Sequence, residues 1–314
     1  MKAALLNGFG GPGDVTVVGN APSPRIGNDD VLVDIWGGGL NPADLKTTTG
    51  MMRNLPLPYV MGHDFIGRVS GMGYGVGGLD IGDIVVGNLG FAGGSFAQQA
   101  SVPKTALAKL PDGVDPRDAA ILPVIGLTAL QAVELIGRVG SGDQVLIHGA
   151  SGSVGSLAAQ LAKRAGAIVL GTGSGEALVR MREDGVDLPI DYREREFDDV
   201  IERDSLDFVL DTVGGDTLER SVPLLKPTGT IVSIVSSKVE TLASRAGVHG
   251  RFLVIETTSE GIAEALDRLE SGAFRMRRGK SFALENVVEA LRALDSGEGG
   301  KIMIVVDPGS PLAS

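Results

Sequence analysis

Apolar and polar residues alternate along the first third of the chain. In VLVDIW, Val31, Val33 and Ile35 fall on one face of a strand, with Leu32 and Asp34 on the other. DIVVGN and SFAQQASV continue the strand theme, and GPGD, APSPRIGNDD and LPDGVDP cut the runs with turn residues. Short strands at this spacing over residues 1–115 predict a compact barrel-like domain, not βαβ units. The clusters GGG (Gly37–Gly39) and GMGYGVGG (Gly71–Gly78) mark turns or places where two backbones approach closely.

The texture changes near Asp115. DPRDAAILPVIGLTALQAVEL reads as one buried helix, and from DQVLIHGA onward strands and helices alternate. SLAAQLAKRAG places Leu157, Ala158, Leu161, Ala162 and Ala165 on one helical face and stops at Gly166. AIVLGT, DFVLDTVGG, GTIVSIV and RFLVIE follow as strands, separated by the helices GEALVRMREDG and TLERSVPLL. After SEGIAEALDRLESG the chain closes with a helix, ENVVEALRALDSG, and a strand, KIMIVVD. Alternation of this kind predicts an α/β fold with a doubly wound parallel sheet.

Composition narrows the function. The 314 residues suffice for two domains. The net charge of -11, with no clustered Lys or Arg, argues against nucleic acid as a partner. The absence of Cys excludes disulfides, a thiol nucleophile and a thiolate zinc site. The apolar run Ala119–Val133 is broken by Pro123, Thr128 and Gln131 and is too short for a bilayer. MKAALLNGFGGPG has too short an apolar run for a signal peptide, so a cytoplasmic location is expected.

VLIHGASGSVGSLAAQLAKRAGA carries the strongest motif. A hydrophobic strand enters a tight turn and a helix leaves it, with Ala150, Gly152 and Gly155 at the three positions of a dinucleotide-binding fingerprint. Gly152 would let the backbone approach a pyrophosphate, and Gly155 would let the helix pack on the strand. The next strand ends in GTGSGE, without the carboxylate that an NAD ribose requires. Glu176 comes later, whereas Ser174, Arg180 and Tyr192 could serve a 2′-phosphate, so NADPH is the expected cofactor. Arg180 also reads as a solvated helix charge, and Tyr192 as a packing residue.

With those residues in view the chain resembles the zinc-free quinone oxidoreductases of the medium-chain dehydrogenase/reductase superfamily. The marks are NPADLK (Asn41–Lys46), GHDFIG (Gly62–Gly67), GLTALQAV (Gly126–Val133), HGASGSVG (His148–Gly155), DTVGG (Asp211–Gly215) and GKIMIVV (Gly300–Val306). The resemblance implies a GroES-like β-barrel domain over residues 1–115, completed by about 272–314, and a Rossmann domain over 116–271. It implies an active site in the cleft between the domains, and hydride transfer from NADPH to a quinone or an α,β-unsaturated carbonyl. Ser151, Gly152, Ser153 and Val154 would hold the pyrophosphate, and Ser174 and Tyr192 the adenosine end. Arg180 would stand in for a Lys that many relatives carry where Ala177 and Leu178 lie here. Thr128 would open a helix facing the nicotinamide phosphate. Gly215, Val235 and Ile255 would line the cofactor, and Lys301 would reach it from the closing segment. Asn41, Lys46 and His63 would lie nearest the chemistry. Relatives of this kind are often homodimers.

His63, beside Asp64, invites a metal reading. Zinc-dependent cousins place Cys where Asn41 and the neighbourhood of Val124 stand, so only His63 remains of a three-ligand site, and no metal is expected. His63 is then either a hydrogen-bonded barrel residue or a proton donor. Asp64 is expected to fix the NPAD segment or a neighbouring backbone, and Asp44 to orient Lys46 or cap the helix after Pro42. His148 is expected to be packed, and His249 to lie in a loop. A donor such as Asn41 would stabilise an enolate, with the proton coming from water. The loop Thr47–Val60 suggests an apolar wall for a small carbonyl or quinone substrate. An enoyl reductase acting on acyl thioesters and a catalytically idle NADPH-binding protein are the alternatives.

Overall fold

In the computed structural model, which describes residues 1–51, 55–297 and 300–313, the strand Asp30–Gly39 organises the first of two units. Val31, Val33 and Ile35 point into the core as the alternation predicts, and from Ile35 onward every residue of the strand is buried. The strand pairs antiparallel with Asp64–Met72, Gln99–Pro103 and the closing strand Lys301–Val305. Ile84–Asn88 and Leu107–Lys109 extend the sheet on one side, and Arg278–Ala283 on the other. The sequence reading had missed Arg278–Ala283. Its residues are mostly exposed, so no apolar alternation announces it. A smaller sheet of Val15–Val18, Ala3–Leu6 and Tyr59–Val60 completes this GroES-like part.

The three glycines at the end of the long strand lie close to other main chain. A methyl group on Gly37 would overlap the carbonyl oxygen of Ile304, and one on Gly38 that of Asp64. One on Gly39 would fall 2.9 Å from both Asp64 Oδ2 and Lys301 Cε. GGG is therefore a close-approach device rather than a turn.

The buried helix read over residues 115–135 is in fact two helices. Pro116–Ile121 starts at Asp115, whose side chain accepts the Arg117 N–H at 2.9 Å. Pro123, which has no N–H to continue a ladder, begins a second helix, Pro123–Leu130, followed by a wider π-type turn.

The second unit is a six-stranded parallel sheet. Its spatial order is Leu188–Asp191, Ile168–Gly173, Gln144–Ile147, Leu206–Asp211, Leu225–Ser233, His249–Phe252. In chain order that is 3-2-1-4-5-6, the doubly wound arrangement expected. His249, expected in a loop, instead opens the edge strand and pairs with Thr230. Contacts divide the chain into Met1–Val124 with Thr257–Ser271 and Met276–Ser314, and Ile125–Glu256 with Gly272–Arg275. The helices Pro116–Ile121 and Ser259–Glu270, assigned from sequence to the dinucleotide domain, thus belong to the first unit. The latter packs on Leu107–Lys109, its buried stripe being Ile262, Ala265 and Leu266.

Replacing Gly38 by Ala is expected to cost more than about 3 kcal/mol or to prevent folding, because the obstacle is backbone. Gly77→Ala, where nothing lies within 4 Å, should stay within about 0.5 kcal/mol. Urea melts of the two variants check this, and equal midpoints would refute it.

Candidate functional site

In the second unit the strand Gln144–Ile147 leads into the turn that opens the helix Ser153–Arg164. The left-handed position of the turn is Gly149, at φ 66°, one residue before the Ala150 that the fingerprint places first. A methyl on Gly155 would overlap the Gly149 carbonyl oxygen and lie 2.8 Å from Ala150 Cα, so Gly155 is what lets the helix sit on the turn. Gly152 is exposed and caps the helix, leaving the N–H groups of its first turn at an open end. Ser151 lies beside Gly173, its Oγ 3.4 Å from where a Cβ would stand.

At the end of the second strand the Ser174 hydroxyl donates to Tyr192 OH at 3.1 Å. Tyr192 is exposed, not packed. A carboxylate does stand nearby on the third strand. Asp191 turns its oxygens onto the N–H of Gly175, at 3.0 Å, and of Arg193, at 2.9 Å. Those donors hold its carboxyl below the usual range. Arg180 is exposed on the following helix.

At the fourth strand Asp211 is buried and shapes the next turn. Its Oδ1 accepts from Val213 and Gly214 N–H at 3.0 and 2.7 Å, and its Oδ2 from Ser233 Oγ at 2.7 Å. Gly215 has φ 59°, and Val235 lies against Gly214. Val213 and Val254 are left exposed at these strand ends, and Ile255 is half-buried. Thr128 is buried in the second turn of Pro123–Leu130, not at its opening, because the helix already begins at Pro123.

His148 is packed, as expected. Its ring lies between Thr172 Oγ1, at 3.2 Å, and Ser221 Oγ, at 2.8 Å, against Phe197. Burial pushes its pKa down to about 4.

The first unit holds a second constellation. Asp64 is fully buried, and its Oδ1 accepts from Asn88 Nδ2 at 3.0 Å and the Val124 N–H at 2.9 Å. Its Oδ2 accepts from Asn41 Nδ2 at 2.9 Å, with Lys301 Nζ 3.9 Å away. The expectation that Asp64 fixes the NPAD segment is met. Asn41 Nδ2 also reaches the Gly39 carbonyl at 3.2 Å, and its Oδ1 accepts from Lys301. Both amide hydrogens are thereby used, so Asn41 has none left for an enolate, and its amide is a clamp between Asp64 and Lys301. Burial pushes the Asp64 carboxyl up and the Lys301 ammonium down, while each charge and the N–H donors around Asp64 pull the other way.

Asp44 does cap the helix Pro42–Thr48, its Oδ2 taking the Asn41 N–H at 2.8 Å. Its Oδ1 lies 3.2 Å from His63 Nδ1. Lys46 is half-buried in the last turn of that helix. Asn88 and Gly149 were missed as site residues. Asn88 ends a strand with no periodic or motif signal, whereas Gly149 is legible as the glycine before the fingerprint. Met52–Asn54, in the expected apolar wall, lie outside the described residues.

A family profile described as an alcohol dehydrogenase GroES-like domain matches residues 27–112, and one described as a zinc-binding dehydrogenase matches 185–304. The chain is 31% identical to the 2-methylene-furan-3-one reductase of Solanum lycopersicum, over 97% of this chain and 79% of that protein. The chain belongs to the medium-chain dehydrogenase/reductase superfamily, among its quinone oxidoreductase-like members. The quinone oxidoreductase structure from Coxiella burnetii superposes with a TM-score of 0.91 at 31% identity, covering 98% of this chain and 99% of that one. A mycobacterial protein complexed with NADPH superposes at 0.87 with 27% identity, covering 98% and 100%.

The zinc in the second profile's description does not fit the residues present. Asn41 stands where a ligand would be, and its amide is already spent. Among the described residues, no group of three or more His, Cys, Asp or Glu side chains comes together to hold a metal.

Two outcomes follow from the buried charges. Lys301→Met leaves the Asp64 carboxylate without its cation and should cost about 3–5 kcal/mol. Adding Asp64→Asn should recover part of that loss in chemical denaturation, and simple additivity would show that the two residues are not coupled. For His148, the unfolded ring binds a proton below about 6.5 that the folded ring refuses until about 4. Stability should therefore fall by up to about 3 kcal/mol as pH is lowered through that window. Melting temperatures of wild type and His148→Gln across the window check this, the variant having the flatter profile.

Proposed function

We propose that the chain is a zinc-independent, NADPH-dependent oxidoreductase that reduces quinones or α,β-unsaturated carbonyls. The observation that carries the reading is the turn Gly149–Gly155. It brings a strand end and an uncapped helix N-terminus together at a point where a single added methyl would close the packing. The names of the tomato reductase and the Coxiella oxidoreductase support the reaction class, and the NADPH complex of the mycobacterial protein supports the cofactor.

Bound NADPH would supply the hydride. The N–H groups of Ser151–Val154 would hold its pyrophosphate, next to Gly155. The Ser174–Tyr192 hydroxyl pair and Arg180 would take the 2′-phosphate. Gly215, Val235 and Ile255 would give a small, partly apolar border at the strand ends. In the first unit, Asn41, Asp64 and Lys301 would set a fixed cation within a dry framework, and Lys46 would stand on the same helix as Asp44. A small apolar carbonyl or quinone substrate, a homodimer and a cytoplasmic location belong to the same reading.

The test is oxidation of NADPH and NADH against quinones, enones and enoyl thioesters, with and without chelator. Quinone or enone turnover that prefers NADPH about tenfold or more and is indifferent to chelator is expected. Tyr192→Phe with Ser174→Ala should weaken NADPH binding while leaving NADH binding unchanged. Faster enoyl thioester turnover would move the substrate class, and tight NADPH binding with no turnover anywhere would overturn the enzyme.

A further inference from the structure

His63 is 3% exposed, and its two nitrogens have different surroundings. Nδ1 faces Asp44 Oδ1 at 3.2 Å, whereas Nε2 has no hydrogen-bond partner among the described residues. Asp44 is itself held by the Asn41 N–H on its other oxygen, so the brace has a fixed foundation. The ring meets Phe91 edge-on at 5.7 Å, and Phe91, in the turn Gly90–Ala92, is 44% exposed. A buried polar atom without a partner costs about 1–3 kcal/mol. Such an atom beside an exposed aromatic side chain is the signature of a place that a ligand completes.

Resting on the reductase reading, we propose that His63 is the proton donor of the reaction and Asp44 its positioning residue. Hydride from the dihydronicotinamide adds to the β-carbon of an enone, and the C=C electron pair shifts to the α-carbon and the carbonyl oxygen. The Nε2–H bond then breaks, and its proton goes to the α-carbon, or to the oxygen when the substrate is a quinone. The neutral imidazole regains a proton from solvent, and Asp44 stays ionised throughout.

The charged groups facing the ring are Asp44 from the helix Pro42–Thr48, Asp64 from the strand Asp64–Met72 and Lys301 from the closing strand. Tyr59 faces Asp44, and burial together with that charge pushes its hydroxyl pKa up, so it stays neutral. The turn Gly90–Ala92 brings no titratable group. Burial opposes charging His63, but the two carboxylates outweigh burial and Lys301, and the ring's pKa is raised. The acid form therefore persists above the ordinary histidine range, and the rate should fall as pH rises through the raised value.

The experiment compares full-length wild type, His63→Gln and Asp44→Asn with NADPH and the best substrate of the panel. Asp44→Asn keeps an oxygen for the helix cap and removes the charge. His63→Gln is expected to lower kcat about 100-fold or more, with the NADPH dissociation constant unchanged by fluorescence. Asp44→Asn should move the alkaline limb of the kcat profile to lower pH. With three His in the chain, the His63 Hε1 signal is the one lost in His63→Gln, and its titration must match the kinetic limb.

A His63→Gln enzyme within threefold of wild type, or a limb unmoved by Asp44→Asn, overturns the assignment. The second measurement decides even if His63→Gln does not fold. Wild type that turns over nothing in the panel sinks the reductase reading, and the proton donor with it. Active wild type indifferent to both substitutions sinks the donor alone.

Discussion

A carboxylate without water around it must find its donors within the protein, and Asp64 finds them on four segments of the chain. They are the first residue before one helix (Asn41), the end of a strand (Asn88), the opening of another helix (Val124) and the closing strand (Lys301). Each arrives by a different route through the sequence. The first unit can close only when all four meet at one oxygen pair, because leaving any of them unpaired in a dry interior is costly. The same clamp dictates the neighbouring geometry. It uses up the Asn41 amide, and the Asn41 N–H in turn holds Asp44, which faces His63.

The two units solve the problem of precision in different ways. Around the dinucleotide turn it is backbone that does the shaping, through Gly149, Gly155 and the N–H groups gathered by Asp211. Around Asp64 it is side chains, locked by charge and by the lack of room. A glycine-framed turn tolerates the approach of a charged ligand from outside. A buried ionic clamp tolerates little, and its value lies in specifying one arrangement.

That difference explains what the sequence made legible. Periodicity and turn residues announced the parallel sheet, its order and its glycine turn, because each is a local pattern. Asn41, His63, Asp64 and Lys301 could be singled out by their motifs, but the partnership among them could not. Asn88 has no local signature, and Asp44 could be placed as a helix cap but not as the neighbour of His63, which lies 19 positions on. Pro123 split a helix whose apolar run looked continuous, since burial alone does not mark a break. The helix Ser259–Glu270 has the same texture as the helices of the parallel sheet, and only packing reveals that it belongs elsewhere.

A strand that ends in three glycines has no rotamers to adjust. Along Gly37–Gly39 the usual means of reshaping a pocket, exchanging one side chain for another, does not exist, because the space beside each Cα is already filled by carbonyls, the Asp64 carboxylate or the Lys301 stem. Variation in what the first unit can receive is thus confined to its loops, Thr47–Val60 and Leu89–Gly94. The floor beneath those loops behaves as a constant, indifferent to whatever molecule the loops come to select.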